Sequence, residues 1–144
     1  MEISEQGIGL IKSFEGCRLV AYADSVGVWT IGYGCTTDVD PGMKITQAEA
    51  EDRLKADLTV FENCVNDAVK VPLNQNQFDA LVCWTYNLGC RTLQKSKVLT
   101  LLNEGDYDGA EDHMKLYDRA GGQVLAGLTR RRLAEARLFS TEVV

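Results

Sequence analysis

Two carboxylates in one short segment are the residues of this sequence best suited to chemistry. Glu15 and Asp24 lie in FEGCRLVAYADSVGVWTIGYGCT, residues 14–36, which is otherwise rich in glycine, aromatic and β-branched residues. Thr30 follows them in the same segment and adds a hydroxyl group. Two carboxyl groups can cleave a glycosidic bond, because one protonates the leaving oxygen while the other activates water or attacks the sugar. Such a pair requires neither a metal nor a cofactor, and we predict none.

A short helix is predicted to carry Glu15. Ser4 can cap a helix that runs from there to Ser13, and Ile8 and Ile11 recur at helical spacing within it. Gly16 suits the end of that helix. We therefore expect Glu15 at the end of the helix, where the chain turns into the next element.

A β-hairpin is predicted to carry the other two side chains. RLVAYADSVGVWTIGYG alternates along its length and is rich in β-branched and aromatic residues, with its turn at 24–27. Asp24 lies at the turn and Thr30 in the returning strand. Because a hairpin folds the chain back on itself, both side chains can return close to Glu15.

The rest of the chain is predicted to be helical. Thr46 and Glu49 form a capping box for a helix of about twenty residues, which the segment Val71-Pro72-Leu73 ends. Later helices are predicted to start at Asn74, Ser96 and Asp106, with a loop at Gly121-Gly122 and a last helix from about Leu128 to Phe139. We expect one α+β domain: a mixed lobe at 1–45, a linking helix at 46–71 and a helical lobe at 72–144, with a substrate cleft between the lobes.

Composition excludes several classes of function. A net charge of −6 argues against nucleic acid as a partner, and no apolar run is long enough for insertion into a membrane. His113 is the only histidine, so a zinc hydrolase is excluded and we predict no metal site. The surrounding GAEDHMKLY is typical of an exposed helix face, which makes His113 a poor candidate for a catalytic base.

The cysteines are odd in number and scattered. There are five, none of them in a CxxC pair: Cys17, Cys35, Cys64, Cys83 and Cys90. This pattern argues against a disulfide framework and against a cysteine zinc site. We therefore expect buried or incidental thiols.

The whole FEGCRLVAYADSVGVWTIGYGCT segment resembles the signature of the phage-type lysozymes, the muramidase endolysins of glycoside hydrolase family 24. Three further segments match in order, so that the resemblance covers nearly the whole chain: ITQAEAEDRL, VPLNQNQFDALVCWTYNLG and AGGQVLAGLTRRRLAEARLF. The resemblance implies a two-lobed lysozyme fold. It also implies cleavage of the β-1,4 bond between N-acetylmuramic acid and N-acetylglucosamine in bacterial peptidoglycan.

The resemblance also implies roles for individual residues. By position, Glu15 is the general acid, and Asp24 positions or deprotonates the attacking water. Thr30 holds that water or orients the neighbouring acid through its hydroxyl group. Inversion at the anomeric carbon is the implied outcome. Tyr86 and Asn87 are implied to line the cleft and to bond the N-acetyl group of the sugar, although helix packing and a helix cap are the alternatives.

Aromatic and basic residues offer further candidates for substrate contact. Trp29 and Trp84 are possible sugar platforms, but large aromatic residues more often belong to the core. Arg130, with Arg131 and Arg132, is the main cluster of positive charge in an acidic chain, and we expect it to help attract an anionic wall. The alternative is a solvated helix face on which Arg131 pairs with Glu135.

Cys35 marks a departure from the family pattern. Many relatives have a histidine after GYG, where this chain has Cys35. If that histidine supports an ion pair, this chain lacks it. Glu15, Asp24 and Thr30 are unaffected by the difference.

The N-terminal sequence MEISEQGIGLIKSFEG is typical neither of a signal peptide nor of an anchor. Together with this N-terminus, the family resemblance implies a protein that accumulates in the host cytoplasm, is released through a holin and then acts on the periplasmic cell wall. We expect a monomer, the usual state of a cleft enzyme of this size. Alternatives are a transglycosylase that forms anhydro products, an enzyme that cuts chitin, or a non-catalytic wall-binding module. The presence of Glu15 argues against the module, and Asp24 with Thr30 favours hydrolysis.

Overall fold

Helices dominate the fold, and two short antiparallel sheets complete it. A computed structural model describes residues 1–144. Its elements are α1 Glu5–Glu15, β1 Arg18–Ala23, β2 Trp29–Gly32, α2 Gln47–Ala68, α3 Gln75–Leu88, α4 Cys90–Lys95, α5 Lys97–Asn103, α6 Tyr107–Met114, β3 Arg119–Ala120, β4 Gln123–Val124 and α7 Ala126–Ser140. None of these helices combines the length and the apolar character that crossing a membrane requires.

The chain divides into two compact units. Gly9–Val60 forms one, called here the hairpin unit, and Met1–Ile8 together with Phe61–Val144 forms the other, called here the helical unit. The boundaries between the units fall within α1 and α2. The division into 1–45, 46–71 and 72–144 stays a prediction.

The hairpin unit is built on the predicted β-hairpin. β1 pairs antiparallel with β2 and has a bulge between Arg18 and Tyr22. The chain at 43–45 adds a further pairing to β1, because Ala21 N donates to Met43 O at 2.8 Å and Ile45 N donates to Leu19 O at 2.9 Å. A core of apolar side chains lies beneath: Ile11, Ile31, Ala50, Leu54 and Leu58.

The start of α2 confirms the predicted capping box. Glu49 N donates to Thr46 Oγ1 at 3.1 Å, and Thr46 N donates to Glu49 Oε1 at 3.0 Å. The first of these bonds satisfies a backbone donor that the helix itself leaves unpaired. The carboxylate is stabilised in return, and hydrogen bonds from Thr46 lower the pKa of Glu49.

The helical unit is centred on α3, which packs against α7. Asn74 and Gln77 form the capping box of α3, as predicted, and Ser96 and Asp106 cap α5 and α6. Phe78, Leu81 and Trp84 are fully buried on α3. Burial of this face is expected to stabilise the helix more than its intrinsic propensity does.

Three short elements, α4, β3 and β4, were not predicted from the sequence. Helix α4 has only six residues and no side-chain cap, so no start signal marks it. The predicted loop at Gly121-Gly122 is the turn of a hairpin between β3 and β4, whose two-residue strands are too short to show alternation. His113 is half-buried rather than exposed, and its Nδ1 lies 3.0 Å from Gly109 O.

The expectation that no cysteines pair was wrong. Cys64 and Cys90 form a disulfide with their Cα atoms 5.9 Å apart, which leaves Cys17, Cys35 and Cys83 as free thiols. The two paired residues lie on α2 and α4 and are 26 positions apart in sequence. Their proximity comes from helix packing within the helical unit, which cysteine spacing does not reveal.

Candidate active site

Glu15 is the last residue of α1, as predicted. Gly16 N closes the helix by donating to Lys12 O at 3.0 Å, and Gly16 has a φ of 65°, a conformation that glycine adopts without strain. Glu15 is half-buried, and Ile11 on the preceding turn is fully buried. The helix therefore fixes the position of the Glu15 backbone, from which the side chain extends.

Asp24 forms the turn of the hairpin. Its Oδ1 accepts hydrogen bonds from Val26 N at 3.0 Å and Val28 N at 2.8 Å. The backbone of the turn adds a bond from Asp24 N to Val28 O at 2.9 Å. These bonds hold the half-buried carboxylate in one orientation.

Thr30 is tied to the same turn. It is 4% exposed, lies opposite Tyr22 in the register of the hairpin, and donates from Oγ1 to Val28 O at 3.0 Å. Val28 therefore bonds to both side chains, since its N–H binds Asp24 and its carbonyl binds Thr30. The hairpin brings these two predicted residues together through one shared residue.

A polar network connects α1 to the rest of the hairpin unit. Lys12 Nζ lies 2.7 Å from Glu51 Oε2, Tyr33 OH donates to Glu51 Oε1 at 3.2 Å, and Gln47 Nε2 donates to Tyr33 OH at 2.9 Å. The hydrogen bond from Lys12 lowers the pKa of Glu51, whereas burial raises the pKa of Tyr33. Because Lys12 lies on the last turn of α1, the network steadies the helix that carries Glu15.

Sequence reasoning missed this network. Its residues are scattered over α1, α2 and the turn after β2, so no spacing in the sequence connects them. Tyr33 belongs to the recognised WTIGYG motif, which is the one signal that pointed to it.

Cys35 occupies a buried position beside polar groups. It is 4% exposed, accepts a hydrogen bond from Arg53 Nη1 at 3.6 Å and lies with its Sγ 3.8 Å from Thr37 O. Burial raises the pKa of Asp57, and a hydrogen bond with Cys35 lowers it in part. Cys35 is therefore a buried thiol whose polar contacts are weak.

Tyr86 and Asn87 lie at the end of α3 in the helical unit. The Tyr86 ring packs edge-on against Phe61, with centroids 5.2 Å apart. Asn87 is exposed, and its Oδ1 accepts a hydrogen bond from Arg132 Nη2. Gly89 N ends the helix by donating to Thr85 O at 2.7 Å.

The arginine cluster is mostly buried, so the alternative of a solvated helix face was wrong. Arg131 is 5% exposed, and Arg132 and Glu135 are fully buried. Arg131 Nε does pair with Glu135 Oε2 at 3.1 Å, while Arg132 Nη1 pairs with Glu135 Oε1. Arg130 alone among the three arginines is exposed, so surface attraction by the whole cluster is also excluded. The polar composition of the segment suggested exposure to solvent. Instead, the buried guanidinium groups of Arg131 and Arg132 share the carboxylate of Glu135.

The two tryptophans differ in burial. Trp84 is fully buried and its Nε1 donates to Met114 O at 3.2 Å, so it belongs to the core. Trp29 is 36% exposed on β2 and remains a candidate sugar platform. The structure brings together no group of three or more His, Cys, Asp or Glu side chains that could hold a metal ion.

The architecture defines a lysozyme-like fold. The structure matches the muramidase domain of SpmX from Asticaccaulis excentricus with a TM-score of 0.92 and 42% identity, covering 98% of this chain and 99% of that one. Residues 12–135 match the family model described as phage lysozyme. The chain therefore belongs to the phage lysozyme family, a family of muramidase-type glycoside hydrolases, and the resemblance seen in the sequence is confirmed.

Two curated relatives that the chain resembles are described as phage endolysins. The chain is 44% identical to the endolysin of Bacillus phage PZA, in a match that covers 98% of this chain. It is 42% identical to the endolysin of Acyrthosiphon pisum secondary endosymbiont phage 1, again over 98% of this chain. The chain spans 56% of the length of the first relative and 99% of the second.

Proposed function

We propose that the chain is an endolysin that hydrolyses the β-1,4 bond between N-acetylmuramic acid and N-acetylglucosamine in bacterial peptidoglycan. The observation that carries the proposal is the bonding of Asp24 and Thr30 to Val28, in a hairpin that follows directly on the helix ending at Glu15. Membership of the phage lysozyme family supports the same chemistry.

Glu15 is the proposed general acid. It donates its proton to the glycosidic oxygen as the bond to the anomeric carbon breaks. The network of Lys12, Glu51 and Tyr33 supports this role by holding the last turn of α1 in place.

Asp24 and Thr30 are proposed to bind and activate the attacking water. Because Asp24 Oδ1 already accepts two backbone N–H groups, Oδ2 is the atom proposed to take the proton of the water. Thr30 donates its own hydrogen to Val28 O, so its Oγ1 can only accept from that water. A water held by these two acceptors keeps a lone pair for the sugar, and attack by such a water predicts inversion at the anomeric carbon.

The first experiment is digestion of purified peptidoglycan by the parent and by Glu15→Gln, with products read by mass spectrometry. We expect reducing muramic acid ends from the parent and a loss of at least 100-fold in rate for the variant, since general acid catalysis contributes about 10²- to 10⁴-fold. Anhydro ends from the parent would identify a transglycosylase. An inactive parent that still binds the wall would identify a wall-binding module.

The biological setting is part of the proposal. The endolysin accumulates as a monomer in the host cytoplasm, reaches the periplasmic wall through a holin and lyses the cell. The names of the two curated relatives support an endolysin role. Expression in host cells with and without a holin tests the route, since lysis without the holin would contradict it.

A further inference from the structure

Three exposed cations lie close together in sequence on α4 and at the start of α5, and they are called here the basic patch. They are Arg91, Lys95 and Lys97, and no aspartate or glutamate lies between Asp79 and Glu104 in the sequence. None of the three forms a salt bridge, since the salt bridges of the structure involve cations elsewhere in the chain. The basic patch is therefore a local concentration of unpaired positive charge on a chain whose net charge is −6.

The burial of Leu93 directs the patch away from the core. Leu93 is fully buried, and Arg91 and Lys95 each lie two residues from it on the same helix. Two residues of an α-helix span about 200°, so both cations project from the opposite face of α4. Lys97 follows Ser96, which is 4% exposed and caps α5 with its side chain. Buried residues therefore fix the backbone from which all three cations extend.

The patch is unfavourable for the two helices that carry it. Arg91 and Lys95 are like charges at the i,i+4 spacing, which destabilises a helix. Arg91 and Lys97 also lie in the first turns of α4 and α5, where the helix dipole disfavours cations. Helix α4 has no side-chain cap, and the disulfide from Cys90 to Cys64 ties its first residue to α2. Residues that break local rules of stability, with no compensating contact in the fold, are expected at functional sites.

We propose that the basic patch is a docking surface for the carboxylates of the peptide stems in peptidoglycan. This inference rests on the proposed function and adds to it a contact outside the glycosidic bond. A wall of fixed negative charge repels a chain with a net charge of −6, so close approach requires local positive charge. The guanidinium and ammonium groups of the patch can bind carboxylates without first breaking an internal ion pair. The stem carboxylates belong to the proposed substrate itself, whereas phosphate-bearing polymers are a separate component of some walls.

Binding to purified peptidoglycan tests the patch. Glu15→Gln is the background, because loss of the proposed general acid keeps the wall from being digested during the measurement. The triple variant Arg91→Gln, Lys95→Gln and Lys97→Gln is compared with this background by co-sedimentation over a range of salt concentrations. We expect the triple variant to bind about tenfold more weakly at low salt, the effect of three exposed ion pairs. The difference should disappear at about 0.5 M salt, because salt screens charges that are exposed to solvent.

The matched control removes the same amount of charge elsewhere on the surface. Lys55, Arg119 and Arg137 are exposed and form no salt bridge, so replacing all three with glutamine gives the net charge of the patch variant. This control should bind the wall like the background. Equal binding by the patch variant and the background at low salt would overturn the inference. An equal loss in the patch variant and the control would also overturn it, because net charge alone would then explain the loss.

A chemically modified wall identifies the anion. Coupling the stem carboxylates of purified peptidoglycan to a neutral amine converts them to amides and removes their charge. We expect the background and the patch variant to bind this amidated wall with equal affinity, because the attracting charges are gone. If the patch variant loses binding only on a wall that retains phosphate-bearing polymers, the assignment to stem carboxylates is wrong.

Thermal unfolding separates docking from a structural role. Because the patch is unfavourable for α4, Arg91→Gln should leave Tm unchanged or raise it. A lower Tm for this variant would show that Arg91 supports the fold, which would contradict the inference.

This inference and the proposed function can fail separately. Binding in the Glu15→Gln background needs no cleavage, so patch-dependent binding with a parent that does not cleave the wall would contradict the proposed function alone. Cleavage by the parent, with binding that does not depend on the patch, would overturn the inference and leave the proposed function standing.

Discussion

At the scale of single residues, Val28 links the side chains of Asp24 and Thr30, which are proposed to bind and activate the attacking water. Its N–H binds Asp24 and its carbonyl binds Thr30, so one peptide segment sets both orientations. The side chain of Val28 itself is exposed, and only its backbone takes part. The identity of residue 28 therefore matters less than the conformation of the turn around it.

Glu51 gives a prediction about pH at the same scale. Its pKa is lowered in the folded protein, chiefly by the hydrogen bond from Lys12. A lowered pKa stabilises the fold above the unfolded value of about 4.3, and this stabilisation is lost as pH falls through the folded pKa. Glu51→Gln should therefore lower Tm at pH 7 and have a smaller effect near pH 3.

Thermal unfolding of the parent and Glu51→Gln at both pH values checks this prediction. Asp52→Asn is the matched control, because Asp52 is an exposed neighbour on the same helix. It should change Tm little at either pH. An equal loss of Tm for Glu51→Gln at pH 7 and pH 3 would show that the carboxylate is not the cause.

At the scale of elements, the disulfide joins α2 to α4. Cys64 lies near the end of α2 and Cys90 is the first residue of α4, so the bond closes a loop with a sequence separation of 26. Loop closure of this length restricts the unfolded chain and stabilises the fold by roughly 3 kcal/mol. Cys64→Ser should therefore lower the free energy of unfolding by about that amount.

Denaturant unfolding with and without a reductant measures this effect. The parent should lose stability on reduction, while Cys64→Ser should not respond to the reductant. Cys17→Ser removes a free thiol and serves as the control that should behave like the parent. If the parent has the same midpoint with and without reductant, the disulfide does not stabilise the fold.

The elements also show what sequence can predict. The helix ending at Glu15, the hairpin with its turn at Asp24 and the caps at Asn74, Ser96 and Asp106 are local features, and each one appears as predicted. The Cys64–Cys90 disulfide and the buried pairs of Glu135 were not predicted, because they depend on which helices pack together. Of the candidate site, the positions of Glu15, Asp24 and Thr30 were predictable, whereas the contact of Arg132 with Asn87 was not.

At the scale of the whole molecule, the charge distribution differs from what composition suggested. The net charge is −6, and two of the three arginines in the 130–132 cluster are buried around Glu135. These two groups lie inside the helical unit and supply no surface patch. Arg130 is the member of the cluster that stays exposed, and we retain it as a proposed substrate contact.

In the proposed reaction, the oxygen of a water molecule replaces the glycosidic oxygen at the anomeric carbon. This replacement is tested most directly by digesting peptidoglycan in water enriched in ¹⁸O and reading the products by mass spectrometry. We expect muramic acid ends released by the parent to carry one ¹⁸O at the anomeric carbon. Anhydro ends without ¹⁸O would contradict it, because no water would then have attacked the sugar.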